Sequence, residues 1–126
     1  MAGITYDAGM LVAADRGERI ALRLHQRALQ RGIRPTVPAG VLGQVWRGGP
    51  QPNLSRLLQG CEVDALSELG ARSAGAACAV ARTADVVDAS VVVGALQRDD
   101  LIITSEVADI TNIVDALGQR VAIQRI

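Results

Sequence analysis

The chain predicts an α/β sandwich built on a parallel sheet, and three observations carry that expectation. Short apolar runs, Ile4–Ala8 and Leu101–Ile103 among them, alternate with stretches of helical periodicity. Leu101-Ile102-Ile103 is apolar without interruption, as in a strand covered on both faces. The 126 residues are 49% hydrophobic, enough for one domain with its own core, here taken as residues 1–126.

The first strand, Ile4-Thr5-Tyr6-Asp7-Ala8, ends on an aspartate, and ligands of open α/β sheets sit at such strand ends. Met10 to Ala14 reads as a short helix. A second helix runs from about Arg16 to Arg31 and stops at Gly32. Arg16, Arg19, Arg23, Arg27 and Arg31 form one stripe along it, with Asp15 placed to pair with Arg19. A solvated face is the default meaning of such a stripe. A face for phosphates or for a partner is the sharper one. Pro35–Pro38 is a short strand. Ala39–Arg47 is a helix that turns Val41, Leu42, Val45 and Trp46 inward, and Gly48-Gly49-Pro50 breaks it. Another helix, around Leu54, Leu57 and Leu58, ends at Gly60.

Glu62–Leu66 alternates polar and apolar residues like an edge strand. Ser67 caps a helix from Glu68 to about Arg82, whose Ala and Gly content lets a neighbour approach closely. A helix over Asp85–Leu96 follows, and Asp99-Asp100 turns the chain into the strand Leu101–Ile103. Ile110, Ile113, Val114 and Leu117 mark the next helix, closed by Gly118, and Val121–Ile126 is the last strand.

Composition removes whole classes of chemistry. All thirteen basic residues are arginine, so P-loop, Schiff-base and phosphoacceptor mechanisms that need lysine are out. No glycine-rich phosphate loop follows the first strand. Cys61 and Cys78 are too few for a disulfide framework and lack zinc spacing. The lone histidine, His25, lies opposite the arginine stripe and is expected to pack, so no Ser-His-Asp chemistry competes. No signal peptide and no bilayer-length apolar run is read, which points to a soluble, cytoplasmic protein.

Acidic residues remain. Asp7, the pair Asp85 and Asp88, and the pair Glu106 and Asp109 all fall at strand ends or first helical turns. Carboxylates converging at one end of a sheet suit hard divalent cations, which prefer oxygen ligands. An ion held there activates water for hydrolysis of a phosphodiester. Helix capping competes for each acid. Asp85 is a good N-cap, Asp88 three residues on completes a capping-box pattern, and the helix dipole alone favours Glu106 and Asp109. Asp7, at a strand end, has the weakest claim to be a cap. Removing metal is expected to loosen the strand ends, since clustered carboxylates repel.

Taken together, Asp7-Ala8, Val37–Arg47, Asp85-Val86-Val87-Asp88-Ala89 and Ile103–Ile110 resemble the PIN-domain family, in particular VapC-type toxin ribonucleases, over essentially the whole length. The resemblance implies a PIN-like three-layer sandwich with a five-stranded parallel sheet, a homodimer, and a Mg2+- or Mn2+-dependent endoribonuclease. It implies a VapB-type antitoxin lying over the active site. By position it makes Asp7, Asp88, and Asp109 or Glu106 the acids, with Asp7, Asp88 and Asp109 holding metal. Asp85, Thr104 and Ser105 support them. Gln44 stands where glutamate is usual, which points to weaker metal binding or an inactive module that only binds antitoxin or RNA. Arg23, Arg27, Arg31 and Arg47 are the contacts expected for RNA or antitoxin.

Overall fold

The computed structural model describes residues 3–126. Five strands form one parallel sheet: β1 (Gly3–Tyr6), β2 (Thr36–Pro38), β3 (Glu62–Asp64), β4 (Asp100–Thr104) and β5 (Ile123–Arg125), in the order β3-β2-β1-β4-β5. Seven helices among the described residues connect them: α1 (Ala8–Asp15), α2 (Arg19–Gln30), α3 (Ala39–Val45), α4 (Pro52–Gln59), α5 (Glu68–Ala81), α6 (Val86–Arg98) and α7 (Val107–Ala116).

Both faces of the central strands are covered. Ile4, Thr5 and Tyr6 are consecutive and all buried, although neighbours on a strand point to opposite faces. Tyr6 points to the side of α2, where its hydroxyl meets His25 Nδ1 at 2.9 Å. Burial lowers the pKa of His25 and raises that of Tyr6, so this pair stays neutral. Thr5 points the other way, towards the end of α6. The expectation that His25 packs is met.

Valine, isoleucine, leucine and alanine fill the interior, with Met10 and Tyr6 among the largest fully buried side chains. Cys61 joins them, donating to Leu57 O at 3.4 Å, and burial pushes its thiol up to about 12. Cys78 is half-buried, and both cysteines are free. No helix among the described residues is long and apolar enough to cross a membrane.

Several local expectations change. Asp100 does not turn the chain; it opens β4 and is buried. Its Oδ2 accepts from Thr5 Oγ1 at 2.8 Å and from Arg98 Nε at 2.9 Å, while Arg98 also reaches Asp64 on β3. A local pattern cannot show partners 95 positions apart. Asp15 does not pair with Arg19; its carboxylate accepts from Gln51 Nε2 at 3.3 Å. Trp46 is not inward but 42% exposed, because α3 ends at Val45 and Trp46 takes an extended backbone, which takes it off the buried stripe. The edge strand is shorter than expected and leaves Leu66 outside it, exposed.

The Asp100 cluster yields a stability prediction. Asp100→Ala removes the buried acceptor of both Arg98 and Thr5 and is expected to destabilise the protein by about 3 kcal/mol. Urea unfolding measures it. A loss below about 0.5 kcal/mol, the size of an ordinary exposed pair, would mean the cluster contributes little.

Candidate metal centre

The sheet order itself selects a place for chemistry. From β1 the chain steps to β2 and β3 on one side, then crosses back to β4 and β5 on the other. The carboxyl ends of β1 and β4 therefore flank the topological switch point, where a crevice opens between outgoing connections. Tyr6 pairs in register with Ile103, which sets Asp7 opposite Thr104, and Asp7 N donates to Ile103 O at 2.9 Å.

Asp7 is 3% exposed, and both of its oxygens are engaged. Oδ1 accepts from the Ala8 backbone N–H at 2.8 Å, and Oδ2 from Thr104 Oγ1 at 2.7 Å. Asp7 is thus the N-cap of α1, against the expectation that a strand-end acid has little capping work. Thr104 Oγ1 also accepts from Glu106 N at 2.9 Å, so one hydroxyl joins the end of β1 to the start of α7.

Gly9 brings α1 against that turn. A Cβ on Gly9 would run into the Ser105 hydroxyl and sit 2.6 Å from Ser105 Cβ and 3.0 Å from its backbone nitrogen. The hydroxyl can rotate away, but the other two atoms cannot. Gly9→Ala is therefore expected to push α1 off the turn and destabilise by about 2 kcal/mol. Thermal melting tests this, and an unchanged Tm would show that the turn yields freely.

At the start of α6, Asp85 behaves as a cap: its Oδ1 accepts from Asp88 N at 2.9 Å. The reciprocal bond expected from Asp88 is made by another group, since Asp85 N donates to Thr83 Oγ1 at 3.2 Å. That leaves the Asp88 carboxylate free. It is 6% exposed and faces a cleft lined also by Thr83, Asp85, Asp109 and Asn112. Glu106 is the N-cap residue of α7, yet its side chain caps nothing.

Oxygen atoms of Asp88, Glu106 and Asp109 lie within 4.8 Å of one another. Two segments distant in sequence, the first turn of α6 and the start of α7, thus place carboxylates together. Their charge is uncomfortable. Burial first, then Asp85, Asp7, Glu106 and Asp109, raise Asp88 to about 7. Glu106 is raised too, by loss of solvent and then by Asp7, Asp109 and Asp85, with a hydrogen bond to Asp109. Asp7 lies beside the group without joining its closest set, so the nearest three are Asp88, Glu106 and Asp109.

The donor set fits a hard divalent cation. It is all oxygen, it is crowded enough to repel itself, and its most buried member has no hydrogen-bond partner for its carboxylate among the described residues. A cation would supply the charge that the protein withholds.

The remaining candidates are spread more widely. Gln44 is exposed on α3, a helix held close to α6 because a Cβ on Gly40 would lie 3.2 Å from Val87. Its backbone carbonyl accepts from Arg47 Nη2 at 2.8 Å. The guanidinium of Arg47 also reaches Trp46 O, so that arginine is occupied with its own helix end. Arg23 and Arg27 are exposed on α2 and Arg31 at its C-cap, with no ion pair among the described residues, and the helix begins at Arg19 and not at Arg16, which ends α1. Ser105 is exposed at the turn. Thr83 and Asn112, in the wall of the cleft, went unnoticed in the sequence, where they carry no signal beyond being polar residues near helix ends.

No protein-family model matches the chain, and no curated protein matches it in sequence. Solved structures do. Over 98% of its length the chain is similar to 98% of a chain in the crystal structure of VapBC2 from Rickettsia felis bound to a DNA fragment from their promoter. The TM-score is 0.68 at 13% sequence identity. A likeness at that identity speaks for architecture, and the chain has the PIN-like fold: a three-layer sandwich around a five-stranded parallel sheet.

Proposed function

We propose that this protein is the toxin of a type II toxin–antitoxin pair and acts as a divalent-metal-dependent endoribonuclease. The observation that carries the reading is the meeting of Asp88, Glu106 and Asp109 within 4.8 Å at the switch point of the sheet. The structural likeness to a chain of a VapBC2 complex supports it.

Asp88, Glu106 and Asp109 would hold Mg2+ or Mn2+, with Asp7 adding charge beside them. When bound, such an ion supplies Lewis acidity and an activated water for hydrolysis of an RNA phosphodiester. The chain's own residues do the positioning. Thr104 keeps the Asp7 carboxylate and the Glu106 backbone in one rigid arrangement. Asp85 and Thr83 fix the first turn of α6 and so the direction of Asp88. Gln44 orients water or substrate from α3. The Asp88 side chain is largely buried while its carboxylate opens on the cleft, so a cation can reach it where its charge is less screened than in bulk water.

The partners of this reading are an RNA substrate, a VapB-type antitoxin covering the acids, and a second copy of the chain in a homodimer. Its place of action is the cytoplasm. The test is cleavage of RNA with magnesium or manganese against chelator, using Asp7→Asn and Asp88→Asn as controls. Cleavage that survives both substitutions, or chelation, rules the enzyme out.

One residue favours a second reading, a module with weakened or lost activity that still binds antitoxin or RNA. Gln44 gives no negative charge where the resemblance places a glutamate. Gln44→Glu is expected to raise magnesium affinity about tenfold, the scale on which a carboxylate near a metal acts, and to raise cleavage with it. Calorimetric titration with magnesium reads the first, and RNA cleavage the second. An inactive wild type revived by Gln44→Glu would establish the second reading.

A further inference from the structure

A second cleft opens on the other side of Glu106. It has a volume of about 340 Å³, and Val12, Ala13, Ile20, Arg16, Ser105 and Glu106 are in its walls. This is within the size range of small-ligand sites. Glu106 and Ser105 bound this cleft, and Glu106 belongs to the acidic group as well, so the cleft adjoins that group across the Glu106 side chain.

Charge limits what can lie there. Asp7, Asp85, Asp88, Glu106 and Asp109 act on one another through their charges, and together they repel a polyanion. A nucleic acid strand needs a cation close to the acids to hold its backbone in place. Arg16 is the basic residue in the walls of this cleft, it is exposed, and it takes part in no ion pair among the described residues. Glu18 also lines the cleft, so Arg16 is its one cation beside the carboxylates of Glu18 and Glu106, and a phosphate there must sit on the Arg16 guanidinium. The apolar wall suits the face of a base. Arg47, the arginine next to Gln44, is turned to its own backbone and is not free in the same way.

Resting on the nuclease reading, we propose that this cleft seats the nucleotide next to the scissile phosphate, and that Arg16 holds that nucleotide's own phosphate. Ile20 and Val12 bound the base. The occupant must be single-stranded at that point, because a base enters such a pocket only when it is unpaired and turned out. Arg16 is the C-cap residue of α1, ahead of the turn at Gly17, so it stands apart from the face that Arg19, Arg23 and Arg27 form on α2. Arg16 is a substrate-positioning residue, and the cleft a determinant of which base is accepted.

The test is equilibrium binding of fluorescein-labelled RNA decamers of each single base to protein carrying Asp88→Asn, which prevents cleavage. Arg16→Gln is expected to weaken binding about tenfold at 0.1 M salt and to lower the slope of log affinity against log salt by about one. Ile20→Asp, at a position 53% exposed and so safe for folding, is expected to weaken binding and to flatten differences between the four decamers. Arg120→Gln, at the opposite end of the strands, is expected to change affinity less than twofold. RNA that is bound and cut with no dependence on Arg16 or Ile20 overturns this proposal alone. Unchanged RNA affinity with weakened binding of a synthetic Glu- and Leu-rich peptide also overturns it and gives the cleft to a protein partner. If no decamer binds any variant and wild type cuts no RNA, the nuclease reading falls first.

Discussion

Asp88→Asn is expected to abolish metal-dependent RNA cleavage while making the metal-free protein more stable. The two effects have one cause. Asp88 is the most buried member of the acidic group, has no hydrogen-bond donor to its carboxylate among the described residues, and is repelled by Asp85, Asp7, Glu106 and Asp109. A carboxylate kept in that position costs stability unless a cation is present. Asparagine removes the charge and keeps the shape. Cleavage should fall by about 100-fold or more, the size of loss seen when a group that stabilises developing charge is removed. The metal-free Tm at pH 8 should rise by about 5 °C or more. An ordinary folding defect gives the opposite sign in the second measurement. A variant both inactive and less stable than wild type would show that Asp88 is structural.

A second expectation concerns pH. The folded pKa of Asp88 lies near 7, above its ordinary value of 3.8, and Glu106 is raised in the same direction. A raised acid binds its proton more tightly in the folded state than in the unfolded one. Its contribution to stability is therefore complete below about pH 4 and is lost as pH climbs through about 7. For Asp88 alone the loss across that window is about 4 kcal/mol at most, since each tenfold gain in proton affinity is worth about 1.4 kcal/mol. Metal-free protein should thus be less stable at pH 8 than at pH 5. Magnesium at 100 times its dissociation constant should restore about 2.7 kcal/mol at pH 8 and much less at pH 5, where protons compete for the same oxygens. Urea unfolding at the two pH values, with magnesium and with chelator, measures all four cases. A metal-free protein equally stable at both, or a magnesium effect that does not depend on pH, would contradict the crowded-carboxylate picture. In Asp88→Asn the part of the pH dependence that Asp88 contributes should vanish, leaving that of Glu106 and the opposing part of His25, whose lowered pKa costs stability as pH falls.

Much of this centre is legible in the chain because it is written in local signals. Ser67 caps α5 by accepting from Gly70 N at 3.0 Å, and Asp85 caps α6, as their positions before helical runs imply. The apolar run before Thr104 is the buried strand β4. Where local patterns mislead, distance in sequence or the end of an element is involved. Trp46 follows the apolar period of α3 on paper, yet the helix stops one residue earlier, and its side chain leaves the buried face. Asp100 next to Asp99 looks like a turn until Thr5 and Arg98 are brought to it. Asp7 reads as an unoccupied strand-end acid until Thr104 and the first turn of α1 claim its two oxygens.

By itself the amino-acid sequence determined the parallel α/β class and the caps at Ser67 and Asp85, and it narrowed the candidate acids to five, because hydrophobic period and capping chemistry act over a few residues. Only the tertiary structure decided which acids meet. Strand order carries Asp88, Glu106 and Asp109 to one crevice and sets Asp7 beside it, and strand order follows from burying both faces of the sheet at once, a condition on the whole chain that no short stretch of it contains.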